Sequence, residues 1–336
     1  MDKNLKRKFI IVTGGAGFVG SHLVLSLLKK DPNYTIKVID NLQRGCREFV
    51  PDVARVEFIH ADLKHAAAVE EHFKNADVVF HLASVVGGVE NIFKNEGSVF
   101  YETCLMNLNV FKLCKKYETS IKRVLYLSTA CCYPRSKQKF KYKEDGSVIV
   151  NYLKEEDAYP AEPESGYGMA KLHGEQLCEK LLHESVYHIV RLHNLYGPKM
   201  ACDHSSQVVP SLIRKTLKIT ENSDKILSVW GCGEQYRDFL FIDDAVKGII
   251  EVYEQNPTSV RTIQLGSGKA TSINDLAKAI CQIHGAKNGI RDIQIVSDLA
   301  YILLLDKCKQ IYNTRILNVT QIFLFIVQRY FEARGR

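Results

Sequence analysis

Tyr167 and Lys171 carry the strongest chemical signal in the chain. Their stretch, Tyr-Gly-Met-Ala-Lys, reads as helix, and on a helix positions i and i+4 share a face. An ammonium beside a phenol stabilises the phenolate and lowers its pKa from about 10 toward neutrality. Such a tyrosine can take a proton from a substrate hydroxyl while a hydride leaves the same carbon. A hydroxyl and a thiol, Thr129 and Cys131, lie two residues apart in Leu127-Ser-Thr-Ala-Cys-Cys-Tyr-Pro134. From an extended segment both point into one cleft. Cysteine is more often a small core residue, and Cys132, pointing the other way, is assigned to packing.

The hydride needs an acceptor, and the N-terminal part offers a place for one. Four apolar residues, Phe9 to Val12, precede Thr-Gly14-Gly-Ala-Gly17-Phe18-Val19-Gly20. The run reads as a strand buried on both faces. The following Ser-His-Leu-Val-Leu-Ser-Leu-Leu-Lys-Lys places Leu23, Val24, Leu27 and Leu28 on one helix face. Gly14 permits the tight turn, Gly17 lets backbone approach a ligand, and Gly20 lets helix meet strand. The helix N-terminus, beginning at Phe18 and Val19, then offers N–H groups and a positive dipole end to a pyrophosphate. Glycines alone are a weak signal. Asp40 strengthens it: it ends a second apolar run 20 residues after Gly20. An acid there accepts hydrogen bonds from ribose hydroxyls and repels a 2′-phosphate, which favours NAD over NADP. Arg44 and Arg47 lie nearby and oppose that preference in part. Asp62-Leu63, after the third strand, can hold an adenine amino group. Leu82 and Ala83, in His81-Leu-Ala-Ser84, would let a cofactor lie across the strand ends.

The elements that must position these residues alternate. Strand patterns at Tyr34–Ile39, Val56–His60, Val78–Leu82, Val124–Ser128 and His188–Leu192 are each followed by polar or helical sequence, and a helix is expected over roughly Tyr167–His183. This predicts an α/β fold, a Rossmann-type doubly wound parallel sheet with a smaller C-terminal substrate-binding lobe. The expected division is a cofactor domain over 1–190, with 235–265 returning to it, and a lobe from 191–234 and 266–336. In the second half, Val209-Pro-Ser-Leu-Ile-Arg-Lys-Thr-Leu and the stretch from Asp243 read as helices, while Leu227–Trp230 and Asp238–Ile242 read as strands. Ser272-Ile-Asn-Asp275 resembles a capping box. Lys137 to Glu156 reads as a surface loop, and the tail from about Ile295 as apolar and helix-like.

Composition narrows the class. A net charge of +7 in 336 residues is mild and spread along the chain; it suits an anionic small ligand, and no nucleic-acid motif accompanies it. The ten cysteines contain no C-x-x-C pair, so no zinc ribbon or thioredoxin site is indicated, and their scatter fits a reducing compartment. No metal ligand set, signal peptide or membrane-spanning run is read, and the cytoplasm is the expected location.

Taken together, Gly14-x-x-Gly-x-x-Gly20, Asp40, Asp62-Leu63, Thr129, Tyr167-x-x-x-Lys171, Arg191-x-x-Asn194-x-Tyr-Gly-Pro198 and Trp230-Gly-x-Gly-x-Gln-x-Arg237 resemble the extended short-chain dehydrogenase/reductase family of nucleotide-sugar epimerases, dehydratases and decarboxylases, over about residues 8–290. The resemblance implies NAD, a nucleotide-sugar substrate and a homodimer. It makes Thr129, Tyr167 and Lys171 a redox triad. It places Asn194 at the substrate phosphates, Val209 and Trp230 at the base, and Arg237 at the diphosphate. Val85-Val-Gly87-Gly88 and Thr129-Ala-Cys131-Cys-Tyr-Pro134 are similar to the GDP-mannose 3,5-epimerases and GDP-fucose synthases within that family. There the glycine pair lies along the sugar and the cysteine is an acid/base at C3 and C5. The second acid/base of those enzymes has no direct match; His204 is nearby and is the candidate. The implied function is an NAD-dependent nucleotide-sugar epimerase acting through a transient 4-keto sugar. The alternatives are a UDP-sugar 4-epimerase, an epimerase-reductase like GDP-fucose synthase, and a non-catalytic nucleotide-binding protein on the same fold.

Overall fold

The apolar runs separate into strands and the 3.6-periodic stretches into helices, as hydrophobic periodicity requires. The computed structural model describes residues 7–138, 141–142, 148–149, 153–184, 186–203, 206–220, 224–255, 260–290 and 292–298. The first half runs β1 (Lys8–Thr13), α1 (Phe18–Lys30), β2 (Tyr34–Asp40), β3 (Val56–His60), α2 (Ala66–Phe73), β4 (Val78–His81), α3 (Val89–Lys94), α4 (Glu96–Lys116) and β5 (Arg123–Thr129). A short hairpin, β6 (Lys141–Tyr142) and β7 (Val148–Ile149), precedes α5 (Gly166–Leu181), β8 (Tyr187–Leu192) and β9 (Asn194–Tyr196). Then come α6 (Val208–Thr216), β10 (Ile226–Trp230), β11 (Tyr236–Phe241), α7 (Ile242–Gln255), β12 (Thr262–Leu265), β13 (Ala270–Ser272), α8 (Ile273–Asn288) and β14 (Gln294–Asp298).

Seven strands form one sheet of order β12-β8-β5-β4-β1-β2-β3, and every pairing in it is parallel. Ile10 of β1 sits between Ile36 and Val78. Ile10, Ile11 and Val12 are buried, because helices cover both faces of a parallel sheet. Phe9 is 38% exposed, so the buried part starts one residue inside the apolar run. On one face Leu23, Val24 and Leu27 of α1 share a core with Ile249, Val252 and Tyr253 of α7. On the other, Val69 and Phe73 of α2 meet Val110 and Phe111 of α4 and Cys178 of α5. The chain leaves β1 toward β2 and β3, then returns to β4 and β5 on the other side. That reversal opens a crevice at the carboxyl ends of β1 and β4.

A second core contains Val209, Leu212 and Ile213 of α6, Leu227 and Val229 of β10, and Leu276, Ala277 and Ile280 of α8. β11 lies between β9 and β13 in a three-stranded sheet of its own, and β12 rejoins the large sheet beside β8. Ser272 caps α8, its hydroxyl accepting the Asp275 N–H at 3.0 Å. The expectation of helix from Ile295 is corrected at its start: Gln294–Asp298 is a strand paired in parallel with β10, because alternate residues there find a partner strand rather than a helix face. Residues 299–336 lie outside the described residues.

A buried hydrogen-bonded chain joins the ends of β1 and β4 to α4 and α5. Thr13 Oγ1 accepts the N–H groups of Leu82 (3.1 Å) and Ala83 (3.3 Å). Its own proton therefore goes to His81 Nδ1, 2.8 Å away. His81 donates from Nε2 to Asn107 Oδ1 at 3.0 Å, the tautomer its two partners require. Asn107 Nδ2 donates to the Tyr126 hydroxyl at 3.1 Å and to the Ala170 carbonyl at 3.2 Å. Tyr126 passes its proton to the Lys171 carbonyl at 3.3 Å. Burial, helped by the nearby Lys171 charge, pushes the His81 pKa down to about 3, so the ring is in the neutral form that this chain of donors demands. Gly174 brings α5 against it: a Cβ there would overlap the Tyr126 hydroxyl and come 2.6 Å from Asn107 Nδ2. Gly174→Ala is therefore expected to destabilise the protein by about 1–3 kcal/mol. Gly97→Ala on α4, whose Cβ meets nothing within 4 Å, should stabilise by about 0.5 kcal/mol. Thermal denaturation of the two variants checks this; an unchanged Gly174→Ala would contradict the tight approach.

Candidate active site

The glycine loop is built for a ligand's close approach. Gly14 has φ +68°, and a Cβ on it would lie 3.0 Å from the Ala83 backbone. A Cβ on Gly20 would run into the Gly14 carbonyl. Gly17 is the N-cap of α1; no side chain caps that terminus and its first turn, from Phe18 and Val19 on, holds no acid. A bare helix end beside the crevice fits a pyrophosphate. Asp40 is buried at the end of β2, its oxygens accepting the Ala16 N–H at 3.0 Å and the Leu42 N–H at 2.8 Å. Burial raises its pKa above the ordinary carboxylate value, with those two N–H groups opposing. Each oxygen has a further lone pair for a ribose hydroxyl. The two nearby arginines are engaged elsewhere: Arg44 pairs with Asp203 at 3.2 Å, and Arg47 lies 4.9 Å over the Phe58 ring and donates to the Val50 carbonyl. Asp62 accepts the Lys64 N–H at 2.8 Å and the Asn41 amide at 3.2 Å. Burial works against its charge, yet these bonds and the Lys64 ammonium hold its pKa low. The Leu63 side chain is buried in the core.

Helix α5 begins at Ser165, whose hydroxyl accepts the Gly168 N–H, and rests on the segment after β5: a Cβ on Gly168 would run into the Cys131 carbonyl. This brings Tyr167 to Thr129. The Tyr167 hydroxyl faces Thr129 and Ser84, which both act against the upward push of burial on its pKa. Thr129 Oγ1 accepts the Cys131 N–H at 3.2 Å. One hydroxyl thus stands between the tyrosine and the cysteine. Cys131 is open to solvent while Cys132 is buried; the expected extended segment ends at Thr129, and a 3-10 turn over Ala130–Cys132, capped by the Thr129 hydroxyl, sets the two cysteines apart. Lys171 is 2% exposed, donates to the Leu127 carbonyl at 2.8 Å and lies 5.0 Å over the Tyr126 ring.

The electrostatics correct two expectations. The Tyr167 pKa is raised, first by burial and then by Cys131, and Lys171 does not bring it down. Lys171 is itself pushed down to about 7 by burial, with Glu175 opposing. Loss of water favours the neutral form of both groups. The Cys131 thiol is likewise pushed up: solvent reaches its residue, yet protein crowds the sulfur, and burial outweighs the Thr129 bond and the Arg237 charge, with Glu164 also raising it. The positive charge that acts on Cys131 is Arg237, from β11.

The remaining sequence candidates are distributed around this centre. Gly87 and Gly88 are buried before α3, and a Cβ on Gly87 would meet the Asn91 amide at 2.6 Å. Asn194 donates to the Asp238 carbonyl at 3.1 Å. The Val209 side chain is buried in the lobe core, which leaves its backbone for any base contact. Trp230 is 41% exposed at the end of β10, with Lys215 5.8 Å from its ring. His204 lies outside the described residues. The structure adds Ser84, Glu175 and the Thr13–His81–Asn107 chain. Glu175 was visible as the next i+4 position after Tyr167 and Lys171; the others show only as polar residues closing or flanking apolar runs.

With this geometry in place, comparison with known proteins is decisive. The sequence profile of the NAD dependent epimerase/dehydratase family matches residues 10–266. The chain belongs to that family. Its cofactor is NAD. GDP-mannose 3,5-epimerase of Arabidopsis thaliana is 30% identical over 293 residues, 87% of this chain and 72% of the relative. A putative UDP-glucose 4-epimerase of Methanocaldococcus jannaschii is 30% identical over 275 residues, 80% and 79% of the two chains. Among solved structures, UDP-glucose 4-epimerase of Thermotoga maritima, crystallised with UDP-glucose, superposes with a TM-score of 0.75 at 22% identity, covering 97% of this chain and 100% of that one. This establishes the shared fold. No helix among the described residues is long and apolar enough to cross a membrane.

The buried Asp40 carboxylate generates a cofactor test. NAD should bind more tightly than NADP, and Asp40→Asn should weaken NAD about 10- to 100-fold by loss of charged hydrogen bonds. Fluorescence titration with both nucleotides checks it; tighter NADP binding by the wild type would overturn the assignment.

Proposed function

We propose that this protein is an NAD-dependent nucleotide-sugar epimerase that works through a transient 4-keto sugar, in a reaction like that of the GDP-mannose 3,5-epimerases. One observation carries the reading: the first turn of α5, which holds Tyr167, rests against the Cys131 backbone, whose N–H is bonded to the Thr129 hydroxyl. A 4-epimerase needs only Thr129, Tyr167 and Lys171. The Cys131 thiol, next to that hydroxyl, adds a proton carrier beside the carbons that a C4 ketone acidifies.

In this mechanism Tyr167 takes the C4 hydroxyl proton, with Thr129 and Ser84 fixing its oxygen. NAD, held at the Gly14–Gly20 loop and Asp40, would supply a reversible hydride acceptor for C4 and a positive charge that favours the phenolate. The ketone loosens the protons on C3 and C5. Burial keeps Cys131 a thiol at neutral pH, so it is assigned the return of a proton. Removal from the opposite face is assigned to His204. Arg237, beside Cys131, has the forked donors that hold a diphosphate, with Asn194 from the adjoining strand and Trp230 at the base. Gly87 and Gly88 lie along the sugar. An epimerase-reductase consuming NADPH is disfavoured by Asp40.

Incubation with GDP-mannose, and separately with UDP-glucose, in deuterated water is the test, with NMR of the sugar and absorbance of the reduced cofactor as readouts. Tyr167→Phe should slow cofactor reduction by roughly 10²–10⁴-fold. Cys131→Ser should keep cofactor reduction and lose the product inverted at C3 or C5. Cys132→Ser should keep both. Undiminished inversion in Cys131→Ser would return that residue to packing, and a wild type that exchanges nothing at C3 or C5 would leave a C4 epimerase as the better description.

A further inference from the structure

Lys171 is a charged group in a place that water does not reach, and something must offset its desolvation. Its ammonium donates to the Leu127 carbonyl and faces the Tyr126 ring, neutral partners both. The titratable and charged groups around it are Tyr167 and Glu175 on α5, Tyr126 on β5, His81 on β4 and, across Glu175, Arg191 on β8. Among these Glu175 carries the one carboxyl group, paired with Arg191. It lies one helical turn beyond Lys171, at i+4, on the face that carries Tyr167, and it is 2% exposed.

Glu175 is held in place from two strands. Arg191 grips it with two bonds, Nε at 3.0 Å and Nη2 at 2.6 Å. The Ser128 hydroxyl donates to its Oε1. Arg191 in turn donates to the Tyr133 hydroxyl at 3.0 Å and the Glu155 carbonyl at 2.7 Å. Ser128 stands between Leu127, which holds Lys171, and Thr129, which holds Tyr167. The carboxylate that Arg191 grips is therefore also the nearby charge that favours the Lys171 ammonium, fastened to the same strand end as the reacting groups.

We propose that Glu175 is a positioning residue whose buried carboxylate, clamped by Arg191 and Ser128, is the counter-charge that keeps Lys171 an ammonium in the reaction cleft. The assignment rests on the reading of Tyr167 and Lys171 as the redox pair only for its consequence in catalysis. The electrostatic claim stands separately. Arg191 draws the carboxylate's field away from Lys171 in part, so the lysine is left close to its titration midpoint at neutral pH and responds to small changes around it.

The test reads Lys171 directly in the full chain. With 13C at the lysine ε carbons, the resonance lost in Lys171→Met is followed against pH. Glu175→Gln should lower the Lys171 midpoint by roughly 1 to 2 units, while Glu175→Asp, which keeps the charge, should leave it near the wild-type position even where the melting temperature falls. Should Glu175→Gln not fold, because Arg191 is left buried without its partner, the double variant Glu175→Gln with Arg191→Met removes the pair as a unit. Buried pairs replaced in that way are often tolerated, and the midpoint should fall there too. A midpoint that stays at the wild-type value in whichever charge-deleting variant folds would overturn the proposal, since a purely structural role changes stability alone. A shifted midpoint in a protein that epimerises no sugar would leave this inference intact and sink the functional reading instead.

Discussion

The structure depends on a rule about buried polar groups: each must find a partner, and leaving one unmet costs about 1–3 kcal/mol. Along the seam from Thr13 through His81 and Asn107 to Tyr126, Ala170 and Lys171 there is one consistent assignment of donors and acceptors. It fixes the His81 tautomer and with it the distance between the nucleotide loop and α5. Gly174 admits α5 to this seam, and Gly168 lets the same helix settle on the Cys131 carbonyl. The catalytic helix is thus located by polar bonds inside the sheet, while the apolar clusters on each face supply the bulk of the stability.

The same exclusion of water sets the chemistry. It pushes Tyr167 and Cys131 toward their protonated forms and brings Lys171 down to about 7. A site made only of these groups would rest neutral. The charges that poise it come from Glu175 behind Lys171, on α5, and from Arg237 on β11. Substrate and cofactor add the remaining charge, so the site is readied by what it binds.

Much of this was legible in the sequence. The alternation of apolar runs and periodic stretches gave the parallel sheet, because strands buried on both faces have little freedom in composition. Asp40 and the three glycines were legible because their spacing follows from backbone geometry. Thr129, Cys131 and Tyr167 were recognisable by type and position, and the structure brings them together where α5 rests on the end of β5. Their protonation was misjudged, since i+4 spacing shows a neighbour but not how much water the pair has lost. Glu175 continued that spacing and was overlooked, because its partners Ser128 and Arg191 are distant in sequence. The strand at Gln294–Asp298 was hidden for a similar reason: its apolar residues pair with β10, which no local pattern reveals.

The central claim is that one sugar carbon is oxidised and reduced again within a single closed pocket, while neighbouring carbons exchange with solvent. Turnover of GDP-mannose deuterated at C4, in ordinary water, tests it most directly. The account predicts product that keeps its deuterium at C4, with any epimerised C3 or C5 carrying hydrogen from solvent. Loss of the C4 label to water would contradict it, because the hydrogen would then have left as a proton instead of moving to NAD and back.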